Sequence, residues 1–438
     1  MTALTLSSQE KKIILLASLG GALEFYDFII YVIFAPIISR TFFPETDQLA
    51  SLMSVYAIFA IGYVVRPLGG IAFSHFGDKY GRKKTFIFSV MLMAVPTFFI
   101  GLLPTYQQIG LLASLLLIAM RLLQGLSIGG EIPGALTFTC EHVNARHQAL
   151  ACGIIFSFLN FGIFLGACIS LFLNHVLNDS QLLAFGWRIP FLIGGLLGVF
   201  SFYIRRQMTE SPLFIAFQNQ EKKTRIPLVE AITHYWPQIL QGLALTALGA
   251  VMINLIFLYM PTYLSSILAY PKQQANALNT LNLMFYSLLL IVTCWLADHV
   301  GRKRVLLIGS VGFMLGSYFL FTLLAYQTTA ALIAALFILA LLSSCIMVYP
   351  SFLVELFPTS VRYTGIAIAY NLAFACFGGV TPLIATYLVK SMGHVIAPSY
   401  YLILSAALCT LALLTIRKRY AIESKTSPAS LLKTNDTI

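Results

Sequence analysis

Five ionisable side chains stand inside long apolar stretches of this chain: Glu24, Asp27, Arg66, Arg121 and Glu131. A charge buried in apolar surroundings is costly, so such groups mark chemistry or pairing. Glu24, Asp27 and Tyr31 follow i, i+3, i+7 spacing and share one helical face. At a rise of 1.5 Å per residue, Asp27 lies about 20 Å from the start of its segment. A carboxylate at that depth is either neutral or paired, and one that passes between those states can carry a proton. The alternative is a permanent salt bridge to Arg66 or Arg121. Arg121 stays charged at any accessible pH, so it either neutralises nearby acids or attracts a substrate carboxylate. Arg66, just before Pro67 and Gly69-Gly70, suits gating or pairing better than substrate contact. Deep in the second half there is no charge; Asn254, Asn279, Asn282, Asn371 and several tyrosines and threonines make up its polar inventory. A proton relay through Asp27, Glu24 and Glu131 therefore belongs in the first half. Tyr31, Arg66, Arg121, Asn254, Tyr259 and Asn371 are the candidate substrate contacts.

A second constellation is repeated. Gly77-Asp78-Lys79-Tyr80-Gly81-Arg82-Lys83-Lys84 returns 220 positions later as Ala297-Asp298-His299-Val300-Gly301-Arg302-Lys303-Arg304. Each copy follows the second apolar segment of its half, which marks a duplicated membrane protein, and most such proteins are transporters. Asp78 and Asp298 end their segments, where a carboxylate opposes its own helix dipole. Each would be favourable against the N-terminus of another helix or an arginine. Arg82 and Arg302 are expected to reach Glu141 and Glu355, and the six residues together would latch the cytoplasmic side.

What positions these groups is a chain that water cannot solvate as a globule. Of its 438 residues 59% are hydrophobic and only 10% charged, against about 25% charged in ordinary soluble domains. Lipid must be its solvent. Twelve stretches reach the roughly 20 apolar residues a spanning helix needs: 13–39, 50–76, 85–104, 109–139, 148–176, 187–204, 234–266, 276–297, 305–326, 330–354, 361–390 and 398–416. With both termini cytoplasmic, 21 Lys and Arg face inward and four (Arg40, Arg188, Lys272, Lys390) face outward, leaving Arg66 and Arg121 in the membrane. That asymmetry fixes the orientation. Gly125 and Gly129 offer a small surface for close helix packing. The net charge of +11 sits in short turns, so it sets topology and excludes a nucleic-acid surface. Seven cysteines without framework or ligand spacing predict neither a disulfide scaffold nor a metal site. No nucleophile–base constellation or cofactor motif is present, so an enzyme is disfavoured. The first apolar run is too long for a signal-peptide core and reads as a retained helix.

Asp78-x-x-Gly81-Arg82-Lys83-Lys84 resembles the loop signature of the major facilitator superfamily. Ala22-Leu23-Glu24-Phe25-Tyr26-Asp27-Phe28, Arg66-Pro67-Leu68-Gly69-Gly70, Gly129-Gly130-Glu131 and Gly186-Trp187-Arg188-Ile189-Pro190-Phe191 are similar to the metabolite:proton symporter family. Members of that family carry proline and betaine, citrate, 2-oxoglutarate, shikimate or other organic acids. Tyr259-Met260-Pro261-Thr262-Tyr263-Leu264, Leu356-Phe357-Pro358-Thr359-Ser360-Val361-Arg362-Tyr363 and Pro398-Ser399-Tyr400-Tyr401-Leu402 look most like the proline/betaine transporters. Some of those end in a cytoplasmic coiled coil tied to osmotic response; the polar tail here shows no heptads.

The expectation is an all-α membrane protein with twelve transmembrane helices in two pseudo-symmetric six-helix bundles, the major facilitator fold. The bundles are placed at 1–205 and 234–417, with a cytoplasmic linker at 206–233 and a tail at 418–438. The resemblance implies a monomeric, proton-coupled symporter of a bacterial inner membrane, without cofactor, that imports a small zwitterion such as proline or betaine. Three membrane acids against two arginines leave no excess positive site, which favours a zwitterion over a citrate-like acid. The alternatives are an organic-acid:proton symporter and, from another class, a non-transporting nutrient receptor.

Overall fold

The computed structural model describes residues 6–43, 48–220 and 226–416. Among these, twelve helices are long and apolar enough to cross a membrane. They are α1 (Ser8–Ile33), α2 (Met53–Tyr80), α3 (Arg82–Leu102), α4 (Leu111–His142), α5 (Ala145–Val176), α6 (Asp179–Arg206), α7 (Trp236–Ile267), α8 (Lys272–Val300), α9 (Arg302–Ala325), α10 (Thr329–Leu356), α11 (Arg362–Met392) and α12 (Pro398–Thr415). All twelve predicted segments reappear. The predicted tail at 418–438, Pro44 and linker residues 221–225 lie outside the described residues.

Local chemistry sets the helix ends. Ser7 and Glu10 close a capping box on α1, each side chain bonding the other's backbone N–H. Asn178 and Gln181 do the same ahead of α6. The first predicted segment ran on to residue 39, whereas α1 stops at Ile33 and a separate short helix, Ala35–Phe42, follows. Pro36, in the first turn of that helix, has no N–H to continue α1 and is tolerated only at a new start. Between α2 and α3, and again between α8 and α9, a single residue turns the chain. Gly81 has φ +123° and Gly301 φ +114°, values that side-chain-bearing residues rarely adopt, which explains the glycine in both copies of the repeat.

The chain divides into two compact units: Met1–Thr139 with Phe158–Ile226, and Cys140–Ser157 with Pro227–Ile438. The end of α4 and the start of α5 belong with the second unit. In the first unit, glycines bring backbones together. A Cβ at Gly129 would overlap the carbonyl of Arg66, one at Gly69 that of Leu126, and one at Gly125 would stand 2.7 Å from Gly62 O. The predicted small-residue surface on α4 therefore packs on α2. The Gly186-Trp187-Arg188 motif is structural as well. Trp187 is fully buried against Phe42 and Phe191, and Arg188 bonds the Gly101 and Leu103 carbonyls at the end of α3.

In the second unit α7 and α11 are irregular. Wide i→i+5 turns occupy Ile253–Tyr259 and Tyr263–Ile267 on either side of Pro261, and Phe374–Gly378 on α11. Such turns are rare and gather at functional sites.

Candidate functional site

The acids of the first unit meet around one small cavity. Gly20, Leu23, Glu24 and Asp27 line it from α1, Val90, Met93 and Ala94 from α3, Ser127 and Glu131 from α4, and Gly198 and Ser201 from α6. Its volume of about 20 Å³ is room for a single water. Asp27 is 2% exposed and Glu24 3%.

Asp27 reaches its arginine only through neutral groups. Arg121 Nη1 donates to Gln124 Oε1 at 2.8 Å, Gln124 Nε2 to Thr97 Oγ1 at 2.6 Å, and Thr97 Oγ1 to Asp27 Oδ2 at 2.9 Å. Asp27 Oδ1 has no partner among the described residues. It points at Gly194 of α6, where any Cβ would overlap it. Arg121 lies over the Tyr31 ring at 3.9 Å, and Tyr31 spends its hydroxyl on Val55 O. The ring face satisfies a guanidinium electrostatically without neutralising it. The predicted alternative of a direct Asp27–arginine salt bridge is thus not formed.

Glu24 is more isolated. Neither carboxylate oxygen has a hydrogen-bond partner among the described residues. Glu131, Arg66, Arg205 and Asp27 are the charges around it. Arg66 lies against the Tyr63 ring at 5.3 Å.

Glu131, by contrast, is matched. Arg205 grips both carboxylate oxygens, Ser89 Oγ donates to Oε2 at 2.6 Å, and Arg205 Nη1 also bonds Phe86 O at 2.9 Å. Sequence reasoning missed Arg205, counting it among the inward-facing cytoplasmic charges because it closes an apolar run. The helix continues to Arg206, and Arg205 is fully buried while Arg206 is exposed. The predicted tally of three membrane acids against two arginines is corrected to three against three. A signal existed: Gly20 shares the Glu24–Asp27 face, and its absent side chain is the space the Arg205 guanidinium fills.

At the repeated loops, Arg82 Nη2 pairs with Asp78 at 3.1 Å, both buried. Glu210, read from the sequence only as part of the linker, accepts from the backbone N–H groups of Arg82 at 3.1 Å and Lys83 at 3.2 Å, stabilising the N-terminus of α3. In the second unit Arg302 binds Asp298 and Glu355, each at 2.8 Å. The Asp298 carboxylate accepts from Ala149 N at 3.2 Å and Leu150 N at 2.8 Å, in the first turns of α5. Glu141 takes Arg362 at 2.9 Å.

The remaining candidates lie on α7 and α11. Asn254 donates to Ala250 O, Asn371 to Ala367 O, and the Tyr259 hydroxyl meets Thr386 Oγ1 at 2.6 Å. Asn254 also abuts Gly378, so Asn254 and Tyr259, five apart, both face α11. In a regular helix they would diverge; the wide turn between them brings them round.

Known proteins share this architecture. The description "Sugar (and other) transporter" matches residues 13–226, and "Major Facilitator Superfamily" matches residues 242–434. A Staphylococcus aureus (strain COL) protein, provisionally named a proline/betaine transporter, is 36% identical over 90% of this chain and 86% of its own. The proline/betaine transporter of Escherichia coli (strain K12) is 32% identical over 93% of this chain and 83% of its own. The chain belongs to the major facilitator superfamily. The predicted resemblance to proline/betaine transporters is borne out, and the protein is a multi-pass membrane transporter of that superfamily. In fold it superposes on the proton:xylose symporter XylE bound to 6-bromo-6-deoxy-D-glucose. The TM-score is 0.77, with 18% identity over 94% of this chain and 95% of the other.

Proposed function

We propose that this transporter couples the import of a small zwitterion, of the proline or betaine class, to protons by alternating access. One observation carries the coupling: Asp27 and Glu24 are buried beside a water-sized cavity without an ion-pair partner among the described residues. An acid in that setting is stable neutral and can ionise when a neighbouring charge or water arrives. Asp27 is the carrier, Glu24 its neighbour on the same face, and Arg121 the counter-charge, relayed through Gln124 and Thr97. Glu131 and Arg205 form a fixed pair beside them. The Asp78–Arg82 and Asp298–Arg302 loops serve as gates at the cytoplasmic side of a bacterial inner membrane, with both termini cytoplasmic and the monomer as working unit. The names of the relatives at 36% and 32% identity support the substrate class.

The test is uptake into proteoliposomes under an imposed proton gradient, using labelled proline, betaine, citrate, 2-oxoglutarate and shikimate. Proline or betaine accumulates in the wild type, and Asp27→Asn loses accumulation while keeping substrate exchange. Uphill uptake undiminished in Asp27→Asn removes Asp27 from coupling. Saturable uptake of a di- or tricarboxylate, without competition by proline or betaine, replaces the substrate class.

A further inference from the structure

Three polar atoms on α8 have no hydrogen-bond partner among the described residues: Asn279 Oδ1, Asn282 Nδ2 and the Tyr286 hydroxyl. Their i, i+3, i+7 spacing puts them on one face of the helix. Asn282 is 6% exposed and Tyr286 1%. An unsatisfied buried polar group is costly, so a row of three is expensive unless a ligand completes it.

Aromatic rings from two other helices stand beside this row. Phe257 of α7 stacks on Tyr286 with centroids 4.4 Å apart, and Tyr370 and Phe374 of α11 stack at 4.7 Å. Tyr370 is near enough to Tyr286 to act on it electrostatically. Both helices are irregular here: Phe257 lies inside one wide turn and Phe374 opens another. Asn279 Nδ2 ties α8 to the first by donating to Phe257 O at 2.9 Å. Gly378 leaves room for the Asn254 amide beside Phe374. Charged side chains on α7, α8 and α11 are confined to helix ends, at Lys272, Asp298, Arg362 and Lys390. Neutral donors, a neutral acceptor and ring faces suit a ligand whose own charges cancel; a dicarboxylate would leave two charges without a cation.

We propose that this cluster holds both ends of the transported zwitterion. The carboxylate accepts from Asn282 Nδ2 and the Tyr286 hydroxyl. The ammonium end lies against the rings of Phe257, Tyr370 and Phe374, and Asn279 Oδ1 accepts any N–H that it carries. The assignment rests on the proposed function and names the residues that execute it. A trimethylammonium group has no N–H, so it depends on the rings alone.

Equilibrium binding of labelled glycine betaine and proline to the full chain in nanodiscs tests this. Asn282→Leu and Tyr286→Phe each weaken both ligands roughly 10-fold or more, the loss expected for a hydrogen bond to a charged group. Phe257→Leu weakens betaine about 3- to 30-fold and proline less, while Asn279→Leu weakens proline alone. Affinities are read from variants that elute as one species and melt near the wild type; Asn282→Ala repeats the donor loss if the leucine variant fails to fold. Wild-type binding that all these variants retain unchanged overturns the assignment and leaves the proposed function standing. Equal losses of betaine and proline in Phe257→Leu overturn the ring contact with the ammonium. A wild type that binds neither ligand removes the proposed function, and the assignment with it.

Discussion

The Arg205 guanidinium holds both oxygens of Glu131 in space that Gly20 leaves open on the neighbouring helix. Three helices thus depend on one buried ion pair. Removing one partner of such a pair costs about 3–5 kcal/mol, because the other charge is stranded, whereas removing both together costs far less. Arg205→Met is therefore expected to lower the melting temperature sharply, and Arg205→Met with Glu131→Gln to recover much of the loss. Gly20→Val should mimic Arg205→Met by evicting the guanidinium. A double variant no more stable than Arg205→Met alone would show that the pair is not what holds α4 and α6 to α1.

The α2–α4 contact gives a second expectation. The atoms that a Cβ at Gly129 or Gly69 would strike belong to backbone carbonyls, which have no rotamer to yield. Gly129→Ala and Gly69→Ala should each destabilise by about 1–3 kcal/mol as the helices part. Gly62 is the control: a Cβ there meets nothing within 4 Å, so Gly62→Ala should be neutral. Melting curves of the three purified variants decide it, and a Gly129→Ala protein as stable as Gly62→Ala sinks the packing argument.

These two cases show what the sequence could reveal. Gly125 and Gly129 were legible because i, i+4 spacing of small residues is a local pattern, and the twelve spans because hydropathy is a sum over neighbours. Arg205 was not, because its role depends on Glu131, 74 positions away, and on a side chain long enough to reach back from a helix end. Asp27 and Glu24 were found by type and depth. Their lack of an ion-pair partner was open until the Gln124–Thr97 relay showed where the charge of Arg121 goes. The wide turns at Ile253–Tyr259 and Phe374–Gly378 leave no such mark, since no residue type encodes an i→i+5 bond. Pro261 signalled a disturbance in α7 but not its form.

The Asp298 carboxylate serves Arg302 and the N-terminus of α5 at once. Asn in its place keeps one acceptor oxygen and loses the charge that favours both the helix N-terminus and the guanidinium. Asp298→Asn is expected to cost about 1.5–3 kcal/mol, the range of a hydrogen bond to a charged group. Asp298→Asn/Arg302→Met should cost less than the sum of the two single changes. Strict additivity in melting measurements would mean that the two side chains act independently.

The last expectation concerns Thr97, which no reading of the sequence singled out. Its hydroxyl accepts from Gln124 and has Asp27 Oδ2 and Met93 O, each at 2.9 Å, as acceptors for its one proton, so it is the joint between the aspartate and the charge of Arg121. Thr97→Val preserves shape and removes the joint, leaving Asp27 with no hydrogen bond and Gln124 Nε2 with no acceptor. If the relay keeps Asp27 poised to exchange a proton, Thr97→Val should lower gradient-driven accumulation several-fold while substrate counterflow, which needs no net proton movement, stays near the wild-type rate. Thr97→Ser, which restores the hydroxyl with one methyl fewer, should recover accumulation. The split between the two assays is the diagnostic. Accumulation and counterflow falling together, with no rescue by serine, would reduce Thr97 to a packing residue and leave Arg121 unconnected to coupling.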